Sequence, residues 1–493
     1  MMAALLMGAL NATAKDYHYT TVPGDAMKTR IYTLDNGLKV YMSVNKEKPR
    51  LQANIAVKTG SRNDPAETTG LAHYLEHLMF KGTTHFGTTD VEKEKPYLDE
   101  ITRRYESYRK LIDPAQRKQA YHEIDSISQL AARYNIPNEY DKLMASIGSE
   151  GSNAYTSNDV TCYVENIPNN EIENWAKIQS DRFQNMVIRG FHTELEAVYE
   201  EKNITMASDD DKRWAALWKL LTPTHPYGTQ TTIGEQEHLK NPSIVNIQNY
   251  FHHYYVPNNV AIVLAGDFDP DKTIEVIDKY FGGWKKSDKV TRPEFAPQPE
   301  ITAAKDTTVV GQDAENLTMA WRFKGANQGE GDILDIISSI LSNGKAGLFD
   351  TDLNQPMKVQ GVDAGTDEQH DYTAFIALGM PNQGQKLEEV RALILEEMGK
   401  LRRGEFADDL IPAVIANKKL DFYKSLDDND QRATMMGNAF INDQDWAQVA
   451  NQLERQSKLT KKDIVEFAQK YLRDDNFVCV YKRMGEDKTL VKI

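Results

Sequence analysis

The chain has 493 residues, 40% of them hydrophobic, and a formal net charge of −15. That is enough apolar material for several cores, with two to four domains expected from length alone, and the acidic balance without any basic block argues against a nucleic-acid partner. No apolar run approaches the ~20 residues that a membrane-spanning helix needs, so no transmembrane segment is expected.

Residues 1–10 are apolar, and Ala12-Thr13-Ala14 ahead of Lys15 has the small-x-small form of a signal-peptidase site. Residues 1–14 therefore predict an export signal and a periplasmic destination, although no Lys or Arg precedes the apolar core. The two cysteines, Cys162 and Cys479, each lie inside an apolar strand-like run and offer no disulfide framework. Residues 30–59 read as strands, with the turn Asn36-Gly37 ahead of one apolar run and a second run over residues 51–57. They lead into Leu71-Ala72-His73-Tyr74-Leu75-Glu76-His77-Leu78-Met79-Phe80, which has no Pro or Gly and predicts a helix. Thr68 or Thr69 is expected to cap its start and Gly82 to close its end, with Leu71, Leu75, Leu78 and Met79 as the buried stripe.

On that helix His73 and His77 are four apart and share a face, with Glu76 one place before the second His. This is H-x-x-E-H, the inverted form of the commoner H-E-x-x-H zinc motif. A catalytic zinc takes three protein ligands and leaves a fourth position for water, so a third ligand must come from elsewhere. The candidate stretch is residues 191–203, a predicted helix dense in carboxylates that includes Glu194, Glu196, Glu200 and Glu201. Alone, it would read as a solvated acidic face.

Between these two stretches, residues 91–135 carry Glu, Lys, Arg and Tyr at helical spacing, and Asp113-Pro114 breaks them into a helical hairpin. Residues 151–165 alternate through Ala154, Thr156, Val160 and Cys162 as a strand does. Asp209-Asp210-Asp211 begins a further helix, in which Trp214 and Trp218 read as core anchors. A helix over residues 244–255 precedes a strand over residues 260–265, and the first domain ends near Trp284. Pro293, Pro297 and Pro299 mark a linker over residues 285–300, giving domains at 15–284 and 301–493. The second half repeats the first: residues 467–480 echo residues 251–263 as helix, turn and strand, and residues 317–344 echo the strand and the His-bearing helix. Aligned on Gly82 and Gly344, His73, Glu76 and His77 meet Asp335, Ser338 and Ser339. The second copy should therefore bind no zinc, and should wall a chamber and stabilise the first.

His73-x-x-Glu76-His77 followed by Glu194-x-x-Ala197-Val198-x-x-Glu201 resembles the pitrilysin-like inverzincin peptidases, in particular the N-terminal half of their larger bacterial members. The match takes in Gly151-Ser152-Asn153-Ala154-Tyr155-Thr156, His225-Pro226-Tyr227-Gly228 and Tyr255-Val256-Pro257-Asn258-Asn259 in order along nearly the whole chain. The resemblance implies an α+β fold of two homologous domains, each an antiparallel-rich sheet packed with helices, that together make half of a clamshell chamber. The helical hairpin, at about residues 91–146, is then an insertion relative to shorter relatives. One Zn²⁺ per chain would be held by His73, His77 and Glu201, with Glu200 as the alternative register, although two His and a carboxylate also suit cobalt or manganese. Glu76 would be the general base and Glu194 would support the site. Asn153 and Ala154 would accept the backbone of an extended peptide at a sheet edge. The family's substrate-clamping Arg and Tyr are missing after Ala346-Gly347-Leu348-Phe349, where Asn354 and Gly361 or Val362 stand instead. A second pitrilysin-like chain, or a C-terminal half, would then supply that pair. The implied function is a zinc-dependent endopeptidase or oligopeptidase acting on unfolded peptides, with a non-catalytic assembly subunit of a heterodimeric processing peptidase as the alternative.

Overall fold

In the computed structural model, which describes residues 15–487, seven strands form one sheet: β1 (Tyr19–Thr20), β2 (Arg30–Thr33), β3 (Lys39–Val44), β4 (Arg50–Val57), β5 (Glu150–Thr156), β6 (Thr161–Pro168) and β7 (Val260–Gly266), in the order β1-β2-β3-β7-β4-β6-β5. Five more, β8 (Lys305–Gly311), β9 (Asn316–Lys324), β10 (Gly361–Glu368), β11 (Tyr372–Met380) and β12 (Val478–Met484), form a second sheet in the order β10-β11-β9-β12-β8. The export signal expected over residues 1–14 lies outside the described residues.

The repeat seen in the sequence is a repeat of topology. Read from the inside, β3-β7-β4-β6-β5 has the same order as β8-β12-β9-β11-β10. In each sheet a single contact is parallel, β3 with β7 and β8 with β12, and the other pairings are antiparallel. The likeness extends to backbone contacts after the central strand. A Cβ at Gly60 would lie 2.2 Å from the Ser157 carbonyl oxygen, and one at Gly325 would lie 1.8 Å from that of His370. Only glycine lets the chain leaving β4 or β9 pass so close under the neighbouring hairpin turn.

Residues 151–165 are not one strand but the hairpin β5–β6, folded at residues 157–160 and closed by Ser157 N–H donating to the Val160 carbonyl at 2.8 Å. The alternation persists through the turn because both strands keep the same period, and it masked the turn residues Ser157-Asn158-Asp159. The predicted helical hairpin is present as α2 and α3, after the short helix α1 (Leu71–Leu78): α2 is Val91–Tyr108 and α3 is Pro114–Ala131, with α4 (Glu139–Ser146) following. Asp90 and Asp113 cap α2 and α3 through the backbone N–H groups of Lys93 and Gln116.

Three further helices complete what matters for the site: α5 (Ile172–Asn185), α6 (Phe191–Ala207) and α7 (Asp209–Leu221). The central strands β4 and β7 are buried on both faces, which is why they read as unbroken apolar runs. Leu51, Ala53, Ile55, Ile262 and Leu264 pack with α1 and α5 on one face. On the other, Tyr41, Ala56, Ala261 and Val263 meet Ala433, Met436 and Phe440 of the helix Asn429–Ile441, which comes from the second half. The exchange is mutual. Leu217, Trp218 and Leu221 of α7 cover Ala320, Ala374, Ile376, Val478 and Val480 of the second sheet. Burying those three side chains stabilises the junction by about 5–9 kcal/mol before the entropy of ordering is subtracted. Each half thus lends a helix to the other half's sheet. Among the described residues, no helix is long and apolar enough to cross a membrane.

Candidate metal centre

The helix α1 starts abruptly because its first turn is held from a distance. Neither Thr68 nor Thr69 caps it; the cap residue is Gly70, at φ 88°. The carboxylate of buried Asp64 reaches over to accept the N–H groups of Gly70 at 2.7 Å and Ala72 at 3.1 Å. Thr69 instead receives the Glu235 N–H at 2.8 Å and contacts His238 Nδ1 at 2.8 Å. At Gly70 a Cβ would lie 2.7 Å from the Ile233 carbonyl oxygen, so glycine is required twice over, by conformation and by space. Leu71, Ala72, Leu75 and Leu78 face the core, and Tyr74 donates its hydroxyl to the Phe191 carbonyl at 2.5 Å, pinning α1 to the first residue of α6.

That crossing sets the phase of the two helices and brings three predicted ligands together. His73 Nε2 lies 3.5 Å from Glu201 Oε1, and His77 Nε2 lies 3.5 Å from Glu201 Oε2. The imidazole centroids are 4.7 Å apart, and the three donor atoms lie within 4.8 Å of one another. Ligand bonds of 2.0–2.1 Å in a tetrahedron put neighbouring ligand atoms about 3.3–3.4 Å apart, so this donor set suits Zn²⁺ with little adjustment. Glu200, the alternative register, turns away and accepts the Asn203 side-chain amide at 2.9 Å. Among the described residues, His73, His77 and Glu201 are the one group of this kind.

Around the donors sits an excess of negative charge. Glu194 Oε1 meets His77 Nδ1 at 2.8 Å, fixing that ring with Nε2 towards Glu201, and Glu194 Oε2 meets Lys81 Nζ at 2.5 Å. Burial works against charge on His77, but the Glu194 hydrogen bond and the charges of Glu194, Glu76 and Glu201 outweigh it and raise its pKa. Burial pushes Glu194 up, and the hydrogen bonds and charges of His77 and Lys81 outweigh it and hold the carboxyl below its ordinary range. For Glu201, the hydrogen bond to His73 lowers the pKa against an opposing burial effect. A pocket that favours a proton on His77 is one that also favours a cation in the proton's place.

Glu76 is buried beside the donors and accepts the Thr156 hydroxyl at 2.5 Å. Asn153 and Ala154 lie on β5, the terminal strand of its sheet; they pair inwards with Val164 and Tyr163 of β6, and among the described residues no strand pairs with the other side of β5. Asn153 shares with Glu76, His77, Phe80, Lys81 and Glu194 the wall of an open cleft of about 510 Å³. Asn354, at the position of the family's clamping Arg, binds the backbone: its oxygen accepts the Val362 N–H at 2.8 Å and its amide donates to the Val362 carbonyl at 3.0 Å. The sequence did not point to Asp64 or Lys81. Lys81 lies just past the end of α1, where helical spacing from His77 no longer applies.

A family model described as Insulinase (Peptidase family M16) matches residues 39–96, which include α1, and one described as Peptidase M16 inactive domain matches residues 244–418. The chain is similar to a zinc protease, PqqE, of Helicobacter pylori, at 23% identity over 460 residues that cover 91% of each chain. Among solved structures it is similar to a protease from Helicobacter pylori, with a TM-score of 0.77, 21% identity, and coverage of 92% of this chain and 99% of that one. It is also similar to the first half of the periplasmic protease PqqL from Escherichia coli, with a TM-score of 0.69, 15% identity, and coverage of 94% and 93%. Against whole PqqL the chain spans 48% of the other's length. Structural matches at this identity bear on the fold, which is α+β, with two mixed, mostly antiparallel sheets packed with helices as in one half of a clamshell.

Proposed function

Because this chain belongs to the peptidase M16 (pitrilysin/insulinase) family, we propose that it is a zinc-dependent peptidase hydrolysing unfolded peptides, its metal held by His73, His77 and Glu201. The observation that carries this is the convergence of the two Nε2 atoms on the two oxygens of Glu201, at 3.5 Å each, beside a buried carboxylate on the same helix face. Zn²⁺ in that position supplies a Lewis acid that acidifies water and polarises a carbonyl. Glu76 takes the proton from attacking water in this reading and returns it to the leaving amine. Glu194 holds His77 in one orientation and one tautomer through Nδ1. The free edge of β5 supports the last part: an extended backbone adding there, past Asn153 and Ala154, gains affinity from main-chain hydrogen bonds with little demand on sequence.

The chamber around this site is proposed to be shared. The Asn354 amide donates to the Val362 carbonyl and to Asp350, and the Gly361 and Val362 side chains carry no donor, so these positions do not replace the Arg and Tyr. A second pitrilysin-like chain or a C-terminal half would bring the Arg and Tyr. The same feature favours the second reading, an assembly subunit that keeps the site and works only with a partner. Export is proposed from residues 1–14 alone, and the domain limits of 15–284 and 301–493 follow the proline-rich stretch between α7's half and the second sheet.

The test is hydrolysis of an internally quenched, unstructured peptide by residues 15–493, with bound metal measured in the same sample. Zinc near one per chain with turnover that Glu76→Gln abolishes supports the peptidase. Zinc without turnover, restored by a partner chain, supports the shared chamber, and full turnover by zinc-loaded Glu76→Gln would refute the role given to Glu76.

A further inference from the structure

A general base serves only if its carboxylate is aimed, and α1 does not aim Glu76 by itself. Among the described residues, the one hydrogen bond to its side chain comes from Thr156 Oγ1, at 2.5 Å. Thr156 is the last residue of β5, the strand whose edge is open. Its place is fixed by the turn that follows. Ser61 N–H donates to the Ser157 carbonyl and Arg62 N–H to the Asn158 carbonyl, each at 3.0 Å, under the close approach of Gly60.

The same turn is held from the other side by its counterpart in the second sheet. Asn158 donates its side-chain amide to Gln369 Oε1 at 2.7 Å, and the His370 N–H donates to Asp159 Oδ2 at 3.2 Å. Arg62, only 2% exposed, bridges Asp159 at 3.2 Å and Asp371 at 2.8 Å. Gln369, His370 and Asp371 form the β10–β11 turn, the topological equivalent of the β5–β6 turn. The equivalent turns of the two copies therefore meet head to head, and the metal-free copy grips the strand that holds Glu76.

We infer that Thr156 is a positioning residue for the general base, and that the second sheet's β10–β11 turn sets its position. The inference rests on the peptidase reading for its kinetic consequence and deepens it: the strand that receives the substrate backbone also orients the base, so scissile bond and proton acceptor share one frame. A β-branched side chain suits the task, because its hydroxyl has few rotamers to wander through.

The experiment compares zinc-loaded wild type, T156V and T156S as full chains, by crystal structure and by kinetics on a quenched peptide. T156V keeps the shape and removes the donor; T156S keeps the donor. Losing a hydrogen bond to a charged group predicts a kcat roughly 10- to 100-fold lower in T156V, with KM within about twofold and zinc content unchanged, and T156S within about threefold of wild type. In the crystal of T156V the Glu76 carboxylate should leave its wild-type position while His73, His77 and Glu201 superimpose. Should T156V not fold, T156A carries the same comparison. An unmoved Glu76, or an unchanged kcat, overturns the inference. A wild-type chain without turnover in any combination rejects the peptidase reading instead, and the crystallographic comparison still decides whether Thr156 aims Glu76.

Discussion

Glu194→Gln exchanges a carboxylate for a neutral amide of the same shape at the point where His77 and Lys81 both lean on it. In the wild type one oxygen takes His77 Nδ1 at 2.8 Å and the other takes Lys81 Nζ at 2.5 Å, and the Glu194 side chain is 13% exposed. Removing such an outer support lowers metal affinity by about 10- to 100-fold, which is about 1.4–2.7 kcal/mol. The upper end is expected here, because Lys81 then keeps its cation beside the ring with no carboxylate between it and the metal. The measurement is zinc competition against a chelator of known affinity at neutral pH, with the metal-free proteins melted in parallel. Adding Lys81→Met to Glu194→Gln should restore part of the loss, and the double-mutant cycle separates ring orientation from charge. An affinity within about threefold of wild type, with unchanged melting, would refute the claim that Glu194 holds His77 for the metal.

Glu201→Ala should remove stoichiometric zinc while Glu200→Ala keeps it, since Glu200 is turned to Asn203; metal analysis after gel filtration decides. Asp371→Asn should destabilise the junction of the two halves by about 2–4 kcal/mol, because Arg62 is left buried with less than its full charge compensation. Calorimetry should register a drop of roughly 2–4 °C, and a change below 1 °C would contradict it. The junction also predicts a pH window. Although burial opposes it, hydrogen bonds from His225 and His370 with the charge of Arg62 hold Asp371 well below the carboxylate range, and His370 with Lys58 and Arg292 do so for Asp443. Their stabilisation is present above about pH 4 and lost as pH falls further. His370 is opposed by burial but raised by Asp371 and Asp443, so its contribution is full below about pH 6.5 and is lost as pH rises through its folded pKa. Thermal stability of the wild type should therefore peak between these limits, and His370→Asn should flatten the alkaline side.

The His-bearing helix was legible because a 3.6-residue period places His73, Glu76 and His77 on one face whatever the helix packs against. The choice between Glu200 and Glu201 was not fixed by spacing, since adjacent glutamates differ only in helix phase, and that phase is set by the crossing at which Tyr74 meets Phe191. The expected threonine cap failed because a cap need not be adjacent: Asp64 reaches Gly70 and Ala72 across a loop. The single strand over residues 151–165 failed because alternation has no direction, so a hairpin keeps it through a turn. Trp218 was read as a core anchor, and it is buried, but nothing in its own helix states that the core belongs to the other half of the chain.

The second copy explains what the metal is not needed for. Where His73 and Glu201 face each other in the first copy, the corresponding helices Gly331–Leu341 and Leu410–Ser425 are joined by Asp335 and Lys418 at 2.6 Å, and Gln456 takes the other oxygen of Asp335 at 2.8 Å. An ion pair there ties two helices together as a metal bridge would. In the first copy a comparable tie needs no metal: Tyr74 donates to the Phe191 carbonyl, and Glu194 meets His77 Nδ1 and Lys81 Nζ. The crossing of α1 and α6 is therefore held by contacts that remain when the metal is absent, unlike a structural zinc site, whose binding energy is folding energy. A zinc held as proposed by His73, His77 and Glu201 would then not be needed to hold the fold and would be free to keep a coordination position for water, as catalytic rather than closed structural sites do.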